Sequence, residues 1–204
     1  MRTTITILLF LAGCDADPAI VDRDFKPAPT PATCLEIEEV LYAPASGSAS
    51  GWQWLNIANR CGSAIKLANA EVRWTKPGQG WSAKMPLSVV GTLPAWGCLT
   101  IGGPKSGPAN ASPEYDLVKA FSPTITDPAL LGTAAGVGLF VASSKVPFAA
   151  VIFGDENLEK IVGIGGLIAH DTDIDGAAPG HSMRLYAGDW IEDQSPEPQH
   201  CGLY

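Results

Sequence analysis

Residues 63–76 form the longest run in this 204-residue chain without a glycine or a proline. In a helix interior glycine costs about 1 kcal/mol and proline about 3 relative to alanine, so such dense punctuation excludes a bundle of long helices. The chain carries 22 glycines and 17 prolines, about a fifth of its length. Ordinary domains use roughly 12%, and unstructured low-complexity chains exceed about 25%. The excess therefore suits turns in a folded protein, and the length easily supports a core.

Between the turns the apolar period is close to two, as half-buried strands require. Leu35, Ile37 and Val40 predict a first strand whose slip after Glu38 marks a bulge. Trp52, Trp54 and Asn56 share one face of the next strand, and Leu55 and Ile57 the other. Ile65 with Leu67, then Val72 with Trp74, predict two short strands parted by Asn69, a residue that tolerates left-handed backbone. Further strands are expected at residues 87–90, 98–101, 138–142, 149–153, 183–186 and 190–191, with a brief helix only at 114–120. Many short strands between turn signals predict an all-β sandwich with long loops, one of them the Gly-, Pro- and Ser-rich stretch 102–113. The formal net charge is −8, from 13 basic and 21 acidic side chains. Nucleic-acid affinity rests on basic residues that displace counterions, so no nucleic-acid partner is expected.

Five cysteines leave one thiol to explain. Residues 1–13 read as an export signal: Arg2 is the positive end, and Ile5, Ile7, Leu8, Leu9, Phe10 and Leu11 the apolar run. That run is too short to span a membrane. It ends Leu11-Ala12-Gly13-Cys14, which resembles the lipobox of bacterial lipoproteins. The resemblance implies lipid attachment at Cys14 and cleavage before it, and two or three acyl chains hold firmly where one does not. Residues 14–33 then form a flexible tether in which Pro18, Pro27, Pro29 and Pro31 favour extended backbone. Fully extended it would reach about 60 Å. The folded domain is expected at residues 34–204.

Within that domain the order of motifs resembles the lamin tail domain family. The opening strand is similar to Ile37-Glu38-Glu39-Val40, and the next to Gln53-Trp54-Leu55-Asn56-Ile57-Ala58-Asn59. Ile65-Lys66-Leu67-Ala68-Asn69-Ala70-Glu71-Val72 and Leu93-Pro94-Ala95-Trp96-Gly97-Cys98-Leu99-Thr100-Ile101-Gly102 follow in the family's order. Ala150-Val151-Ile152-Phe153-Gly154 and Ser182-Met183-Arg184-Leu185 resemble its closing strands. The chain departs from the family at Gln53 and Asn56, where acids are usual, and at Asn69-Ala70, where Gly-Trp is usual. The resemblance covers residues 34–201 and implies an immunoglobulin-like β-sandwich, in a family whose members bind proteins and in some settings DNA.

Cys34, Cys61, Cys98 and Cys201 allow three connectivities. Export permits oxidation. The favoured pairing is Cys34–Cys201, tying the first strand to the chain end, with Cys61–Cys98. No Cys-x₂₋₄-Cys pair suggests zinc.

Catalytic signals are sparse. His170, His181 and His200 show no metal-ligand spacing, and Gly47–Gly51 centres on Ala49 rather than the serine of a nucleophile elbow. Gly163-Ile164-Gly165 lacks the third glycine of a dinucleotide fingerprint. His181-Ser182 leaves a hydrolase as a distant reading. Asp171, Asp173 and Asp175 alternate before Gly176, the layout of a Ca²⁺ loop, although Ser182 stands where the bidentate acid belongs. Calcium is the one cofactor this suggests; an acidic solvated loop is the simpler reading. Trp54 and Trp74 are expected in the core, and at least one of Trp52, Trp81, Trp96 and Trp190 at an exposed edge. The expectation is a non-enzymatic binding or scaffolding module, lipid-anchored in a bacterial cell envelope and facing the periplasm or surface. Its partner would be an envelope or extracellular protein or a glycan. A calcium-dependent surface adhesin is the alternative, and an envelope hydrolase the more remote one.

Overall fold

A computed structural model describes residues 28–43, 53–76, 80–102, 119–120, 134–154, 161–166, 177–198 and 200–202. A single helical turn, α1 (Pro31–Cys34), leads into β1 (Leu35–Leu41), which pairs antiparallel with β2 (Trp54–Asn59). Then come β3 (Ile65–Lys66), β4 (Ala70–Lys76), β5 (Gly80–Pro86), β6 (Thr92–Leu93) and β7 (Cys98–Gly102). The chain closes with β8 (Lys119–Ala120), β9 (Ala134–Val141), β10 (Ala149–Gly154), β11 (Ser182–Tyr186) and β12 (Asp189–Asp193). The fold is an all-β sandwich. One sheet runs β12-β11-β1-β2-β7-β8 and the other β10-β9-β4-β5, with β3 and β6 as a separate small ladder.

Alternation explains why these segments bury as they do. Ile37, Val40, Leu55, Ile57, Leu99, Ile101 and Met183 of the first sheet face Val72, Trp74, Val137, Leu139, Val151 and Phe153 of the second, in one continuous core. Tyr42 stacks on Phe153, ring centroids 4.3 Å apart, and so stitches the sheets together. The register of β1 on β2 slips between Ile37 and Glu39, the bulge that the spacing of Leu35, Ile37 and Val40 announces. A second slip, between Trp74 and Lys76, turns Trp81 onto the outer face of the second sheet. There it packs edge-on against buried Phe140, which also lies under the Arg73 guanidinium.

Three expectations need correction. Residues 87–90 are not a strand: Leu87–Val89 is a 3₁₀ turn in which Leu87 is buried, and Val90 packs partly against the core after it. Lys119 and Ala120, at the end of the expected helix, form strand β8 beside β7, and residues 114–118 lie outside the described residues. The cysteines pair as Cys34–Cys61 and Cys98–Cys201, not as Cys34–Cys201 and Cys61–Cys98. The cause is strand order. Leu35 lies opposite Asn59, so the start of β1 and the end of β2 are side by side, and Cys34 and Cys61 sit with Cα atoms 5.3 Å apart. Cys98, opposite Ala58 on β7, is left for Cys201, whose Cα is 5.4 Å away. Strand β5 is an addition that the turn residues around Pro77 conceal.

Candidate functional site

Cys14, His170, Asp171, Asp173 and Asp175 lie outside the described residues. Among the described residues no group of His, Cys, Asp and Glu side chains is arranged to hold a metal ion. His181 and Ser182, adjacent in the chain, answer to different carboxylates. His181 Nδ1 lies 2.6 Å from Glu192 Oε1, which also accepts the Ala178 N–H at 2.7 Å. The Ala178 hydrogen bond, with help from His181, holds Glu192 below the usual carboxylate range. The Ser182 hydroxyl, fully buried, donates to Glu39 at 2.5 Å. This pair does not form the histidine–hydroxyl contact that a hydrolase uses.

The densest polar cluster lies on the outer face of the first sheet. Arg184, Glu39, Asn56 and Thr100 stand in register across β11, β1, β2 and β7. Thr100 donates to Asn56 Oδ1 at 2.7 Å, and Asn56 Nδ2 and Arg184 Nη2 both reach Glu39, at 3.3 and 3.2 Å. The C-terminal segment crosses this row as a strap. Its Glu197 N–H donates to Glu39, its Glu197 and His200 carbonyls accept from Asn56, and its Gly202 N–H donates to Glu38. Cys98–Cys201 fastens its end. Burial pushes both Glu38 and Glu39 above the usual carboxylate range, against the pull of Arg60 on Glu38 and of Ser182 and Arg184 on Glu39. These groups are spent on one another, and the cluster holds the strap.

An accessible cleft lies beside it among the described residues. β1 pairs with β11 only at Glu39 and Val40, whereas β11 keeps its partner β12 from Ser182 to Tyr186. Past Arg184 the β11–β12 hairpin therefore diverges from β1, and a cleft opens between them. One lobe, about 320 Å³, is walled by Leu35, Ile37, Phe148, Ile164, Leu185 and Trp190. A second lobe of similar size continues past Glu36, Leu185 and Gly188 to Arg60. The volume suits a ligand, and the lining is mixed, apolar side chains in the first lobe and charged groups and backbone in the second. Glu36 and Arg60 form an ion pair at 2.9 Å between the lobes. Ile164, in the cleft wall, is an exposed apolar side chain, as are Tyr186 and Ile191 on the hairpin.

Trp54 and Trp74 are buried as expected, Trp74 in the main core and Trp54 with Leu41 in a separate small cluster. Trp96 is exposed next to the Cys34–Cys61 disulfide, its backbone N–H donating to the Cys61 carbonyl at 3.2 Å. Trp190 is half-buried in the cleft, and Trp52 lies outside the described residues. The sequence gives no signal for the cleft, because it arises from two strands far apart in the chain that part company. In comparison with known proteins, the chain matches no family model and no curated sequence.

Proposed function

We propose that this chain is a lipid-anchored, non-enzymatic binding module of a bacterial cell envelope. Its sandwich is lamin-tail-like and hangs from Cys14 on the residue 14–33 tether. The observation that carries this reading is the accounting of thiols. Cys34, Cys61, Cys98 and Cys201 are consumed in two disulfides, which leaves the lipobox-like Cys14 as the single remaining thiol. Two disulfides also suit an oxidising compartment beyond the cytoplasm. Binding is assigned to the cleft between β1 and the β11–β12 hairpin, where an aromatic ring and an ion pair line an accessible cavity. The partner is an envelope or extracellular protein, with a glycan as the other candidate; the acidic charge disfavours nucleic acid.

Cross-linking in intact cells tests the reading, with Cys14→Ala as the unanchored control. A discrete cross-linked partner that depends on anchoring supports it. Recovery of both proteins as soluble cytoplasmic material would refute it.

A further inference from the structure

We propose that the cleft binds an extended peptide by strand addition to β1, taking a large apolar side chain against Trp190 and a lysine or arginine beside Glu36. This rests on the reading of the chain as a binding module and names the chemistry of its partner.

The backbone phase of β1 makes the case. The Arg60 N–H donates to the Cys34 carbonyl at 2.7 Å, and the Asn59 N–H turns the other way, to Gly97 at 2.9 Å. Antiparallel strands alternate in this way, so Glu36 directs its backbone groups at Ala58, while Leu35 and Ile37 direct theirs at the cleft. The Leu35 N–H is taken by the Pro31 carbonyl. The Leu35 carbonyl and both Ile37 groups have no ladder partner on the β11 side among the described residues. An open strand edge is a template for another strand: main-chain hydrogen bonds supply affinity, and the pockets beside them select side chains.

The selection follows from the lining. Phe148, Ile164, Leu185 and Trp190 form an apolar wall that suits one large side chain. Charge decides the second. Arg60 directs Nε to Glu36, Nη2 to Glu38 at 3.5 Å, and Nη1 to the Gly202 carbonyl. Each of the three guanidinium nitrogens is thus directed at an acceptor of the protein itself. Two carboxylates face one guanidinium, and the Glu36 side chain is 41% exposed, so the site favours a cation.

The test is a random decapeptide library displayed on phage and selected against the full-length protein in detergent micelles. Enrichment of alternating, β-prone sequences with one basic residue is expected. Ile164 is exposed, so Ile164→Lys leaves folding alone and is expected to weaken the enriched peptide by about tenfold or more. Glu36→Gln should weaken it by about tenfold and leave its norleucine-for-lysine analogue unchanged. Methylation of one alternate set of peptide amide nitrogens should abolish binding, and methylation of the other should be tolerated. No enrichment over a control protein overturns the proposal, as does tolerance of methylation in both sets or indifference to Ile164→Lys. An anchoring-dependent cross-link from cells, found together with an empty selection, would overturn strand addition alone and leave the binding module standing.

Discussion

Glu39, at 0% exposure, accepts hydrogen bonds from Ser182, Asn56, Arg184 and the Glu197 N–H. Truncating it to alanine removes the acceptor of the Ser182 hydroxyl and the Glu197 N–H, while Arg184 keeps Asp193 and Glu197 and Asn56 keeps the Glu197 carbonyl. Two such groups left unsatisfied cost about 1–3 kcal/mol each. In a domain of this size each kcal/mol moves the melting temperature by roughly 2–4 °C. Glu39→Ala should therefore melt about 10 °C or more below the parent in a calorimetric scan. Ser182→Ala removes a buried donor to the Glu39 carboxyl and should cost about 1–3 kcal/mol. The pH dependence has a definite sign. Burial raises the folded-state pKa of Glu39 above its unfolded value, so the native state holds the proton more tightly. The stability this contributes is complete below the unfolded pKa and is lost as pH rises through the folded one. Glutamine mimics the protonated acid. Parent and Glu39→Gln should thus melt closest together near pH 4, and the parent should fall relative to the variant by pH 7; a parent that gains on the variant as pH rises would mean that Glu39 is ionised more readily when folded.

At the scale of elements, the strap and the β1–β2 pair each depend on a disulfide. Cys98–Cys201 closes 103 residues and Cys34–Cys61 closes 27. Chain entropy then gives about 4.7 and 3.5 kcal/mol respectively as upper figures. Mapping of unreduced peptides should recover these two links, and the double variant Cys98→Ser/Cys201→Ser should melt lower than Cys34→Ser/Cys61→Ser. Strand β9 shows a different constraint. A Cβ at Gly136 would come within 3.2 Å of the Trp81 ring and 3.1 Å of Ile152, so Gly136→Val should cost about 1–3 kcal/mol through overpacking. Element boundaries were legible where alternation was uninterrupted: β2, β7, β10 and the bulge of β1 all follow from apolar spacing. Strand β5 was not, because the bulge opposite Trp74 breaks its alternation just where Pro77, Gly78 and Gly80 suggest only a turn. Leu87 and Val90 mimic a strand because a short 3₁₀ turn buries the first and packs the second partly against the core.

For the whole molecule, local pattern fixes how each strand faces but not which strands are neighbours. The expected Cys34–Cys201 link would tie the first strand to the chain end; the order β1-β2-β7 separates the two and gives each a nearer partner. The cleft was hidden for the same reason, since it exists only where β11 leaves β1. Export and anchoring are proposed instead from Arg2, the apolar run and Cys14, which point to them without reference to the fold. The central claim joins the two: an oxidised sandwich held at a membrane by a lipidated cysteine. Intact mass spectrometry of the protein isolated from its own membranes tests it most directly. The expected product is a chain that begins at Cys14, carries diacylglyceryl and acyl groups there, and keeps both disulfides. A soluble chain still bearing Met1, with an unmodified thiol at Cys14, would contradict it.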